Sequence, residues 1–136
     1  MQGIIIFSQN MNLLKFVFYI SIILLIFVSL FPGSILGHIF YGDATAIHGE
    51  TFSLETTINH FLSYIYISSL GMFIYYKNKN YQKFFFYILF LSIILEFLQL
   101  YIPNRSFQTS DLFANVMGVL IGYIMIKIFK IGRKNE

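Results

Sequence analysis

Four stretches of this chain are long and almost free of charge, and that constrains its fold more than any other feature. Residues 13–31 read LLKFVFYISIILLIFVSLF and stop at Pro32-Gly33; three further apolar runs follow at about 58–76, 84–102 and 112–129. A helix that crosses a bilayer needs roughly 20 predominantly apolar residues, and each run is close to that length. The sequence therefore predicts an all-α membrane protein, a bundle of four transmembrane helices forming one domain over residues 1–136. The second run is the most dilute, with Asn59, His60, Ser63, Ser68 and Ser69, although serine hydroxyls can bond back to the helix backbone. The first run exceeds the roughly 7–15 apolar residues of a cleaved signal and lacks a clear A-x-A site, so it is expected to be retained.

Charge patterning agrees. Only 11% of the 136 residues are charged, whereas a soluble domain carries about 25%. The net charge of +3 does not indicate nucleic acid, because the basic residues fall in two short clusters beside apolar runs. Lys77, Lys79 and Lys83 lie between the second and third runs, and Lys127, Lys130, Arg133 and Lys134 lie at the end. The stretch 32–57 has no Lys or Arg but carries Asp43, Glu50 and Glu55, and it reads as a loop with a short interfacial helix. The positive-inside rule then places both termini and the basic loop in the cytoplasm of a multi-pass cell-membrane protein. Arg105 is the exception, a lone cation in an outer loop. With no cysteine in the chain, disulfides and thiolate metal sites are excluded.

Polar groups inside apolar helices are costly and usually face the bundle interior. Here they concentrate in ILEFLQLYIPNRSFQTSDLFANVMGVLIGY. Glu96 and Gln99 are three apart and share a helix face; Asp111 and Asn115, four apart, share another. Gly118 and Gly122 continue near that stripe at a spacing that admits a close neighbouring helix. With His60 at the head of the second run and Arg105 in the hairpin, six polar groups are expected to converge at the outer leaflet, with Glu96 either protonated or paired to Arg105 or His60. Blander readings stand beside this one. Asp111 can be the N-cap of the fourth helix, Gln99 and Asn115 interhelical glue, and His60 an interfacial residue. A metal site on His60, Glu96 and Asp111 lacks any supporting local spacing, so neither metal nor cofactor is expected.

The order E-x-x-Q, P-x-R, D-x-x-x-N-x-x-G-x-x-x-G, carried by Glu96, Gln99, Pro103, Arg105, Asp111, Asn115, Gly118 and Gly122, resembles the signature of the VanZ-like membrane proteins. INHFLSY, with His60 and Tyr64, resembles the preceding motif of that family, so the likeness covers about 58–123. It departs at Thr56-Thr57, where the family commonly has an acidic–basic pair; Glu55 is the nearby acid that stands in. The resemblance implies a four-helix fold, a bacterial cell-envelope setting and a link to teicoplanin-type antibiotic resistance, but no reaction.

Three functions follow as expectations. The first is an outer-leaflet site for an anionic or lipid-linked envelope component, with Arg105, Glu96, Gln99, Asp111, Asn115 and His60 as binding residues. The second is an enzyme using Glu96 and His60 as an acid–base pair. The third is an accessory subunit whose polar network fixes helix register. A channel is disfavoured, since no ionisable path continues through the inner halves of the runs. The oligomeric state is left open.

Overall fold

The computed structural model describes residues 2–33, 39, 42, 54–79 and 81–132, with the side chains of residues 2–10 and 55 outside that description. Most of the 32–57 stretch, with its expected interfacial helix, also lies outside it. Among the described residues the chain forms four long helices and no strand: α1 (Gln2–Leu30), α2 (Leu54–Tyr75), α3 (Tyr81–Leu98) and α4 (Thr109–Gly132). A single 3-10 turn, Gln99–Tyr101, extends α3.

Each helix begins three or more residues before its apolar run, because polar first-turn residues such as Gln82 and Lys83 in α3 or Ser110 and Asp111 in α4 still take helical backbone angles. The helices α1, α3 and α4 contain stretches long and apolar enough to cross a membrane: Met11–Leu30, Tyr81–Tyr101 and Thr109–Gly132. The expected fourth span, α2, does not join them. At 22 residues it reaches about 33 Å, but Thr56, Thr57, Asn59, His60 and its serines lower its hydropathy. The physical reason is its position. Tyr64, Ile67, Ser68 and Met72 are buried, so much of its surface is wetted by the other helices.

The tightest seam joins α2 to α4. A Cβ on Gly118 would stand 2.6 Å from the Phe61 carbonyl oxygen and 2.9 Å from Tyr64 Cβ. On Gly122 it would meet Ser68 Cβ at 2.8 Å and the Ser69 nitrogen at 2.9 Å. Both glycines therefore give backbone-to-backbone approach in the small-xxx-small manner, and the Ser68 hydroxyl donates across the seam to the Val119 carbonyl at 3.0 Å. Phe18, Tyr64, Ile67, Ile74, Ile88 and Val119 form the buried core.

Helix α1 attaches at the side. The Tyr19 and Tyr75 hydroxyls share a hydrogen bond of 2.7 Å, and the Ser21 and Tyr66 hydroxyls one of 3.1 Å. The outward faces carry Phe16, Ile23, Phe86, Phe90 and Ile128, all more than half exposed, as a lipid-facing surface would. At one end of the bundle Lys130 sits 4.2 Å from the centroid of the Tyr81 ring and Lys127 5.9 Å from that of Tyr123, the geometry of cation–π contact. The α3–α4 hairpin closes the other end.

Candidate functional site

At the hairpin end, Ile102-Pro103-Asn104-Arg105 forms a β-turn closed by a bond from the Arg105 N–H to the Ile102 carbonyl, 3.2 Å. Proline at the second position presets φ, and the third position needs the left-handed region that asparagine enters more cheaply than most residues; Asn104 has φ of 57°. Stacking of Phe97 on Phe107, centroids 5.2 Å apart, clamps the hairpin behind the turn. Its product is a fixed exit direction for the Arg105 side chain.

The guanidinium does not go to Glu96. Its Nε–H donates to the Phe31 carbonyl at 3.0 Å and Nη2 donates to the Val28 carbonyl at 2.8 Å. Val28 lies in the last turn of α1 and Phe31 is the residue just past its end, and carbonyls at a helix C-terminus draw cations. Among the described residues no ion pair joins Arg105 to Glu96, which corrects one of the two pairings expected from the sequence. Burial lowers the Arg105 pKa from its usual value, while the charges of Glu96 and Asp111 oppose that shift; a guanidinium stays charged regardless.

Glu96, 1% exposed, is held from the other side. Asn115 Nδ2–H donates to Oε2 at 3.2 Å, and the Gln108 backbone N–H donates to Oε1 at 3.3 Å. With its amide nitrogen committed to a carboxylate, Asn115 presents Oδ1 to His60 Nδ1 at 3.0 Å. An amide oxygen only accepts, so Nδ1 carries the proton and Nε2 turns toward the Asp111 side. The imidazole thus stands between two acids, with Nδ1 3.9 Å from Glu96 Oε2 and Nε2 3.9 Å from Asp111 Oδ2.

Asp111 is not the N-cap of α4. The Gln108 carbonyl accepts the first helical bond, from Leu112 N–H at 3.0 Å, so Asp111 sits three residues further in. There its charge still complements the helix N-terminus, and its Oδ1 accepts a 2.6 Å bond from the Thr57 hydroxyl. Thr57 is a site residue that the sequence reading passed over as a departure. The available signal was its spacing, three residues before His60 and so on the same face of α2. The side chain of Glu55, the suggested substitute, lies outside the described residues.

Two cavities meet at this cluster. One, of about 20 Å³, is bordered by Gln99, Gln108 and Asp111, room for about one water molecule. The other, of about 110 Å³, opens between α1 and α2 beside Ser29, Asn59, Ser63 and Tyr64. His60 and Arg105 line both. Of the expected residues, His60, Glu96, Asp111 and Asn115 are joined in one network; Gln99, buried, lines the small cavity, and Arg105 bridges that cavity to the end of α1.

A family model described as VanZ/LLP1 matches residues 4–130, nearly the whole chain. No curated protein and no solved structure matches.

Proposed function

The chain belongs to the VanZ/LLP1 family, and on that premise we propose that it is a four-span protein of the bacterial cell membrane, with both termini cytoplasmic, that binds an anionic lipid-linked envelope component at the outer leaflet. In this reading α2 is the fourth crossing, its polar face sheltered by α4. The observation that carries the proposal is the shared position of His60 and Arg105 on two adjoining cavities at the hairpin end. Two of the five N–H donors of Arg105 are committed to α1, and the planar guanidinium beside them suits phosphate or carboxylate. Glu96, Asn115, Asp111 and Thr57 set the His60 ring, and Gln99 lines the polar cavity; together they are the binding residues. A link to teicoplanin-type resistance belongs to the same reading, through altered presentation of envelope lipids.

The test is mass spectrometry of lipids that co-purify with the full chain, compared across wild type, Arg105→Lys and His60→Gln at matched protein abundance. An anionic species enriched in wild type and lost from both variants is expected. Identical lipid profiles in all three would overturn the proposal. Lower abundance with unchanged lipid content per molecule would favour the accessory-subunit reading. Because the chain has no cysteine, single cysteines introduced at Ser106 and Asn78 report the two faces of the membrane without background.

The Glu96–Asn115–His60 relay favours a second reading, acid–base chemistry on that lipid. His60 lines a cavity with room for about one water, the setting a general base needs to activate a nucleophile. Here Glu96→Gln abolishes turnover per molecule of bound lipid, whatever it does to the amount bound; unchanged turnover per bound lipid removes the enzyme.

A further inference from the structure

The cavity beside His60 and Arg105 does not end at the polar cluster. Leu25, Val28 and Ser63 line it and also line a second hollow of about 280 Å³ between α1 and α2, whose far end is formed by Ser21 and Tyr66. The two are one groove. Its head is polar, with Ser29, Asn59, His60 and Arg105; its body is Leu24, Leu25, Val28 and Ile67. The Ser21–Tyr66 hydroxyl bond lies at its inward end. From Ser29 to Ser21 the groove follows α1 for about 12 Å. Leu24, Val28 and Tyr66 are each 47–56% exposed, so the body opens sideways, along the flank of an apolar helix.

We infer that this groove seats one hydrocarbon chain of the bound lipid, with the phosphate of that lipid against Arg105 and His60. The inference rests on the binding proposal above and narrows its ligand to a long-chain phosphate ester. Three features select that occupant over a soluble anion or a protein helix. The polar head and apolar body are continuous, the match for an amphiphile. The Ser21–Tyr66 hydroxyl pair marks the inward limit of the lining, about one short hydrocarbon segment from the polar head. Most of the space lies in the apolar body, about 280 Å³ against 110 Å³ at the polar head. In a bilayer the chain gains little from leaving its neighbours, since lipid tails are as apolar as leucine. The groove therefore contributes selection and orientation: it holds the ester bond beside His60 instead of letting the headgroup drift in the plane.

The probe is phosphatidylglycerol with a diazirine midway along one acyl chain, presented to the full chain in phosphatidylcholine vesicles. Irradiation and peptide mapping should place the label on residues of α1 and α2 that line the groove, chiefly Leu24, Leu25 and Ile67. Leu25→Trp and Ser63→Phe, which fill the junction of head and body while keeping Arg105 and His60, should each cut that label by about tenfold, the factor that 1.4 kcal/mol represents. A second arm uses glycerol 1-phosphate as competitor. If Arg105→Lys lowers labelling and glycerol 1-phosphate competes, while the groove-filling variants label like wild type or the label maps to other helices, the headgroup site stands and the groove assignment is overturned. If neither Arg105→Lys nor glycerol 1-phosphate changes labelling, the binding proposal itself fails, and this inference with it. Labelling lost in Leu25→Trp together with the helical circular dichroism signal would reflect misfolding; Leu24→Phe, on the open side of the groove, then decides, and wild-type labelling there overturns the inference.

Discussion

Replacing Gly118 by alanine tests whether the α2–α4 seam positions the site. Alanine is the best helix former, and removing a mid-helix glycine is worth about 1 kcal/mol in α4. Against that, the new Cβ would stand 2.6 Å from the Phe61 carbonyl oxygen and 3.2 Å from the Ile65 nitrogen. Both neighbours are backbone atoms within α2, so neither can swing away as a flexible side chain would. The helices must separate by several tenths of an ångström, and forced overpacking of this kind costs roughly 1–3 kcal/mol. Separation also lengthens the bonds that cross the same seam, from Thr57 to Asp111 at 2.6 Å and between His60 and Asn115 at 3.0 Å. Net of the glycine gain, the expectation is a loss of up to ~2 kcal/mol, with lipid retention falling in parallel. Gly132→Ala is the control. A Cβ there meets nothing within 4 Å, so stability should hold or rise slightly. Unfolding in increasing dodecyl sulfate, followed by circular dichroism, compares the three proteins. A Gly118→Ala chain more stable than wild type by the full ~1 kcal/mol of helix propensity would refute the reasoning, since the glycine seam would then not set the helix spacing.

Further outcomes follow from the network. Thr57→Val removes the hydroxyl donor to Asp111 and should cost about 1–3 kcal/mol, the penalty for an unsatisfied buried polar atom; Thr57→Ser should restore most of it in the same titration. Glu96→Gln offers one acceptor where Asn115 and Gln108 now donate to two oxygens, so one donor is left facing an amide N–H at a similar cost of about 1–3 kcal/mol. Asn104→Gly should leave thermal stability in detergent unchanged, whereas Asn104→Val, forced to a φ of 57°, should lose roughly 1–2 kcal/mol and release retained lipid by misdirecting Arg105.

Much of this architecture is written in local pattern. Apolar runs marked the helices, the Gly118/Gly122 spacing marked the seam, and the three- and four-residue spacings of the polar side chains put Glu96 and Asn115 on faces that do meet. What escaped depends on contacts between distant segments or on backbone atoms. The partners of Arg105 lie 74 and 77 residues away, and they are carbonyls, which no residue type announces. The Gln108 donor to Glu96 is likewise a peptide N–H. Asp111 was open to reading as a cap because helix ends are uncertain by one or two residues from sequence, and that uncertainty separates a cap from a first-turn acid. Lack of charge alone suggests a span at α2, yet among the described residues only α1, α3 and α4 are long and apolar enough to cross a membrane; the polar side chains that lower α2's hydropathy pack against α4, a contact that no local pattern announces.

The two bonds from Arg105 to the C-terminal end of α1 have a consequence for biogenesis. They join the end of α1 to a residue that leaves the ribosome 74 to 77 positions later, so that end stays uncovered until the α3–α4 hairpin has been made. The glycine seam of α2 and α4 needs nothing from α1. Assembly should therefore finish with α1 closing onto the other helices, bringing Phe18 into the core and completing the wall of the groove between α1 and α2.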